Sequence, residues 1–206
     1  MSSMLKIFVE GKGDESFIYA YIKHLFGKDK ADFIKPNIIK TGGWTKIDLI
    51  VQQFIETIDS NGKNLIIFDS DSVSNNGGFT KRKNELEQKK EFLSIDFELF
   101  LFPNNKDDGD YEFLLENIIN QNHSVIFQCF NNYETCLKAH KDDEGKNIYN
   151  LPIRKSKIFA YIDAFNFSRK QKEEIKKGNL LFDDSAYWDL NCQYLIDLKK
   201  FLEKYI

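Results

Sequence analysis

Short apolar runs that stop at an acid constrain this chain more than any other feature. MLKIFV over residues 4–9 runs into Glu10, and NLIIF over 64–68 runs into Asp69-Ser70-Asp71. DFELFLF over 96–102 is followed by Asp107, Asp108, Asp110 and Glu112. Segments of helical period lie between them. Phe17, Ile18, Tyr21, Ile22, Leu25 and Phe26 fall on one stripe, with Asp14 placed as N-cap. Ile47, Ile50, Val51, Phe54, Ile55 and Ile58 form a second stripe. TKRKNELEQKKEFL and YEFLLENII supply two more helices, and FIKPNIIK over 33–40 reads as a weaker strand, kept to an edge by Pro36. Strands alternating with helices in this way predict an α/β fold: a mainly parallel sheet flanked by helices, in three layers.

Beyond about residue 120 the strand pattern stops. VIFQCFNNYETCLKAH, KIFAYIDAF and WDLNCQYLIDLKKFLEKYI read as helical, and NIYNLPIRKSK as a loop. The expected organisation is an α/β domain over 1–120 with a mainly helical extension over 121–206 packed on it. The 206 residues are 42% hydrophobic with 19 Phe, enough apolar material for a packed core and too much for a disordered chain. No segment approaches the ~18 consecutive apolar residues of a membrane span, and the run after MSS is too short for a signal peptide. Cys129, Cys136 and Cys192 form no C-x-x-C pair, and His24, His123 and His140 lack zinc-ligand spacing. These features predict a cytoplasmic protein with free thiols and no membrane contact.

In a parallel sheet, function sits just beyond the carboxyl ends of the strands. Strand alternation puts Asp69 and Asp71 on one face. Two like charges about 4–6 Å apart cost roughly 1 kcal/mol in water and severalfold more at an effective dielectric near 20. Sheet order permitting, Glu10, Asp69, Asp71 and the four acids after the last strand bring up to seven carboxylates to one edge, with Asp107 and Asp108 read as solvated. A cation would offset that repulsion. Oxygen ligands without His or Cys select a hard ion, Mg²⁺ by default with Mn²⁺ as a substitute, which would let a net-acidic site accept a phosphodiester. The net charge of −3 points the same way, since a polyanion must then be met by a local patch or through metal.

An apolar strand ending in Glu-Gly (FVEGKGDESFI), followed some 60 residues later by one ending in Asp-x-Asp (IIFDSD), resembles the TOPRIM domain of topoisomerases, bacterial primases, OLD-family nucleases and recombination mediators. The resemblance covers roughly residues 4–119. FLFPNNKDDGDYEFLLE is also similar to an uncharacterised group of small bacterial TOPRIM-like proteins. The resemblance implies a TOPRIM or Rossmann-like sheet, with Glu10 as metal ligand or general acid/base and Asp69 and Asp71 as metal-binding aspartates. Asp110 and Glu112 would be the later acidic pair. The function it implies is Mg²⁺-dependent phosphoryl transfer on DNA or RNA phosphodiesters, a nuclease. The chain shows no strand-cleaving tyrosine domain, zinc module or Walker ATPase motif, so a protein partner is expected to supply substrate grip.

The residues around these acids admit two readings each. Lys12 is either a turn lysine or a catalytic cation that contacts phosphate. Gly11 and Gly13 beside it, and Gly42 and Gly43 after the second strand, either turn the chain or bring backbone close to a substrate phosphate. Lys81-Arg82-Lys83, Arg154-Lys155-Ser156-Lys157 and Arg169-Lys170 are solvated faces or a phosphate track. Trp44 is core packing or a base-stacking ring. Two other functions remain open. One is a non-catalytic TOPRIM-like scaffold that binds nucleic acid or protein. The other is a haloacid-dehalogenase-like phosphatase, whose D-x-D-x-[TV] box FDSDSV fits, although that box belongs on a first strand and here follows a full β-α-β-α.

Overall fold

The computed structural model describes residues 4–206. Its sheet has four strands, β1 (Leu5–Val9), β2 (Ile38–Lys40), β3 (Lys63–Asp69) and β4 (Glu98–Phe102), all parallel in the order β2-β1-β3-β4. Glu10 therefore ends a strand directly beside the one that ends at Asp69, and the fold is the α/β one expected.

Both faces of the sheet are buried. Leu65, Ile66, Ile67 and Phe68 are all fully enclosed, and alternation sends them to opposite sides. Phe8, Ile66, Phe68 and Leu101 pack against α3 (Val51–Asp59) and α4 (Phe79–Phe92), where the Phe8 and Phe54 rings stack at 4.0 Å. Ile7, Val9, Leu65, Ile67, Phe100 and Phe102 face the other way, against α1 (Lys12–Phe26), α2 (Lys28–Ile34) and α5 (Tyr111–Asn117). The C-terminal part adds α6 (Ser124–Ala139), α7 (Arg154–Asp163), α8 (Arg169–Lys176) and α9 (Ile196–Tyr205). Ile158, Tyr161, Trp188, Leu198 and Leu202 belong to the same apolar cluster as Ile7 and Ile67. At ~25 cal/mol per Å² of apolar surface, residues that share a core this way hold the C-terminal helices to the sheet.

Four local expectations need correction. Residues 33–40 are not one strand: α2 and a 3₁₀ turn at Lys35–Asn37 occupy the first half, and Pro36, with no N–H to give, sits in that turn. The edge strand is left with Ile38–Lys40. Trp44–Ile50 forms a 3₁₀ segment before α3. Asp14 is not the N-cap of α1, because the helix starts one turn earlier at Gly11 and the Asp14 carboxylate reaches back to accept the Gly11 N–H at 2.6 Å. RKSK is the first turn of α7 rather than loop, whereas WDLNC stays outside regular helix.

A carboxylate pair at the carboxyl edge

Strand register puts Val9 opposite Ile67, so the next residue, Glu10, lies across from the last turn of backbone in β3. Its Oε1 accepts the Asp69 N–H at 3.3 Å. The Asp69 carboxylate in turn accepts the Tyr111 N–H at 2.8 Å, which ties the end of β3 to the start of α5. Glu10 and Asp69 are thus fixed against each other by backbone on both sides. Burial first, and the Asp14 carboxyl second, push the Glu10 pKa up to about 7. Burial, then Glu10 itself, hold Asp69 well above the usual carboxylate range. Burial also raises Asp14 and Glu112. In the metal-free protein, burial thus favours the protonated form of each of these groups.

Asp71 has a different role from the one its spacing suggests. Its backbone is left-handed at φ 61, and it bonds the loop before α5, whose Gly109 N–H reaches the Asp71 carbonyl at 2.8 Å. Ser70, fully buried, donates to the Gly109 carbonyl at 2.9 Å. A Cβ on Gly77 would come within 2.3 Å of the Asp71 Cβ, so only glycine lets the Asn-Asn-Gly-Gly segment pass this close. The Asp71 carboxylate turns to Arg82 of α4 at 2.7 Å. Arg82 is buried, also binds Glu85 at 2.8 Å, and lies 4.2 Å from the centre of the Trp44 ring. The cation that offsets the second aspartate is therefore an arginine. Arg82 is the middle of a basic run that sequence assigns to solvent or a phosphate track, and Trp44 is its platform.

Asp71→Asn is accordingly expected to destabilise the metal-free protein by roughly 1–3 kcal/mol, because it leaves a buried guanidinium with Glu85 alone. The like-charge argument from sequence has the opposite sign. Urea unfolding of the variant against the wild-type chain decides between them.

The other expected site residues are dispersed around this pair. Asp110 caps α5, accepting the Phe113 N–H at 2.8 Å, and meets Arg154 at 3.3 Å. Asp108 accepts the Phe79 N–H at 2.7 Å and so holds the start of α4. Asp107 is bound by Asn104. Glu10 and Asp69 form the central pair, Asp14 and Glu112 lie beside it, and the charges of Asp71 and Asp110 still raise the pKa of Glu10 and of Asp69 respectively. The glycines mostly build turns. The Gly11 N–H goes to Asp14, Gly42 to the Glu10 carbonyl and Gly43 to the Thr41 hydroxyl. Gly13 makes room for the Tyr111 ring, which a Cβ there would meet at 3.1 Å.

Lys12 is exposed at the mouth of a cavity of about 740 Å³ that also contains Glu10, Asp69 and Glu112. Sequence reasoning gave Asp14 only a capping role, and it left Lys155 undecided between a solvated face and a phosphate track. Lys155 comes from α7 and lines the same cavity, where its charge lowers the pKa of both Asp14 and Glu112.

Among the described residues, no three His, Cys, Asp or Glu side chains stand as a ready ligand set. The donor chemistry nevertheless fits Mg²⁺, which keeps several waters and is commonly held by one or two carboxylates. Glu10 and Asp69 would hold it, and the charges of Asp14 and Glu112 already act on Asp69.

The family model described as "Protein of unknown function (DUF3226)" matches residues 5–206. The chain belongs to the DUF3226 family. No curated protein and no solved structure matches it. The match runs through both the α/β part and the C-terminal helices, so the cavity between them lies wholly within the family's extent. Among the described residues of this DUF3226 chain no helix is long and apolar enough to cross a membrane, and its three cysteines are free.

Proposed function

We propose that this DUF3226 chain is a Mg²⁺-dependent phosphodiesterase acting on nucleic acid, a nuclease on a TOPRIM-like sheet, working in the cytoplasm. The observation that carries the reading is the Glu10–Asp69 pair. Two acids at the ends of neighbouring parallel strands, the Glu10 carboxylate on the Asp69 N–H, with raised pKa values and an open cavity above them, are an expensive arrangement that a structural role does not need.

Bound at this pair, Mg²⁺ would acidify a water and neutralise charge on the phosphate oxygens. The Glu10 carboxylate, whose own proton the ion would displace, would take the proton of the attacking water. The water oxygen bonds to phosphorus as the bond to the departing sugar oxygen breaks, and the proton count closes when a second water or the protonated Glu10 returns a proton to that oxygen. Asp69 stays oriented by the Tyr111 N–H. Lys12 and Lys155, which line the same cavity, would offset the phosphate's charge.

The test is incubation of purified protein with single-stranded DNA, duplex DNA, RNA and a simple phosphomonoester, with and without Mn²⁺ or Mg²⁺. Metal-dependent cleavage of a nucleic acid is expected. Hydrolysis of the monoester alone would replace this reading with a phosphatase. Binding without cleavage would replace it with a scaffold.

A further inference from the structure

The cavity has two chemically distinct walls. The sheet edge contributes Glu10, Asp69 and Glu112, and the C-terminal helices contribute an apolar wall and cations. Lys155, Ile158, Phe159 and Asp163 share one face of α7, spaced three, four and eight residues on from the lysine. Phe159 is 40% exposed, a large ring left open to the cavity on a helix whose other aromatic, Tyr161, is fully buried. Ile175 and Leu180 continue the apolar surface, and Lys176 sits on the rim. Lys12, Lys155 and Lys176 make no ion pair among the described residues. Arg154 and Lys157, by contrast, are committed to Asp110 and Glu116 of α5. A volume of about 740 Å³ lies within the ~300–1,000 Å³ of small-ligand sites and is too small for a duplex.

A second cleft of about 580 Å³ adjoins the first and shares Glu112 and Lys155 with it. Its walls are mixed: Ser72, Ser74, Asn75, Asp108, Asp110 and Arg154 supply polar groups, and Phe113 and Ile153 supply apolar ones. A chamber with an exposed ring, Phe159, that opens over Lys155 into a trough carrying hydroxyl, amide and guanidinium groups matches one base followed by sugar-phosphate backbone.

We propose that the substrate of this site is the end of a single-stranded nucleic acid. The terminal nucleotide enters the cavity with its base on Phe159, the scissile phosphate lies between the carboxylate pair and Lys155, and the strand leaves along the trough past Arg154. This specificity rests on the phosphodiesterase reading above and extends it from reaction class to substrate form. The C-terminal helices thus supply the substrate grip that sequence assigns to a partner.

Two measurements test the proposal. The first compares Mn²⁺-dependent digestion of a linear single strand with that of a covalently closed single-stranded circle of the same sequence. The linear strand should yield mononucleotides and the circle should remain intact. Oligonucleotides released from the circle would overturn the end-binding site and leave the phosphodiesterase reading standing. The second uses fluorescence anisotropy of a short labelled single strand with Ca²⁺ in place of the reactive ions. Phe159→Ala should weaken binding about 5- to 150-fold, the equivalent of stacking one base on one ring, and Lys155→Glu should also flatten its salt dependence. Free nucleoside monophosphate competing as well as the strand would overturn the polymer-end assignment in favour of a free nucleotide. If no substrate is cut yet binding depends on Phe159 and Lys155, the phosphodiesterase reading fails and the strand-end site stands. Binding indifferent to both substitutions overturns the site.

Discussion

Glu10→Gln is expected to lower metal-dependent phosphodiester cleavage by roughly 10²–10⁴-fold, the loss typical when a positioned proton acceptor is removed. Gln keeps the oxygen that receives the Asp69 N–H at 3.3 Å, so the end of β1 should stay in place while the proton acceptor and the charge disappear. Asp69→Asn should cost a similar factor by weakening the metal, while its remaining oxygen still receives the Tyr111 N–H. Asp110→Asn should cost far less, because Asp110 caps α5 and meets Arg154 rather than the pair. Steady-state rates for the three variants under saturating Mn²⁺ give the comparison. Equal losses in all three would mean that the acids act as a diffuse charge field and that no particular pair carries the chemistry.

The same substitution should have an opposite effect on stability, and only above acid pH. Burial raises the Glu10 carboxyl from 4.5 to about 7, so between those values the folded chain holds a proton that the unfolded chain has released. A group of this sign favours folding below its unfolded pKa, and the advantage is lost as pH rises through the folded value. In chelator, the wild-type protein should therefore lose about 2–3 kcal/mol relative to Glu10→Gln between acid and mildly alkaline pH, and the two should be nearly equal near pH ~4. Urea unfolding across that range reads the difference directly. A difference that stays flat with pH would mean that Glu10 titrates normally and is not enclosed as described. Added Mg²⁺ should restore wild-type stability at neutral pH and do little for Glu10→Gln.

How far the sequence reveals this site depends on whether the relevant residue sits on a pattern. β1, β3 and β4 each carry an uninterrupted apolar run because both sheet faces are covered, and the ends of the first two runs, at Glu10 and Asp69, are therefore plain in the sequence. Arg82 carries no such mark. α4 buries only Arg82 and Leu86, and within Lys-Arg-Lys nothing local distinguishes the buried member except its four-residue spacing from that leucine. Lys155 is hidden for a related reason. Once RKSK is helical, Arg154 and Lys157 turn toward α5 and Lys155 turns with Phe159 to the cavity, but a loop reading gives all of them the same status. Asp71 fails differently. Strand alternation holds only while the strand continues, and the left-handed backbone at Asp71 ends it one residue early.

The central claim is that Glu10 and Asp69 share a divalent cation in place of the protons they otherwise retain. Calorimetric titration of Mn²⁺ into the protein at pH about 6, repeated in buffers of different ionisation enthalpy, measures both parts at once. Binding should be accompanied by proton release that includes the Glu10 proton, and both binding and that release should be lost in Glu10→Gln. Absence of binding at millimolar Mn²⁺, or binding and proton release unchanged in Glu10→Gln and Asp69→Asn, would contradict the account.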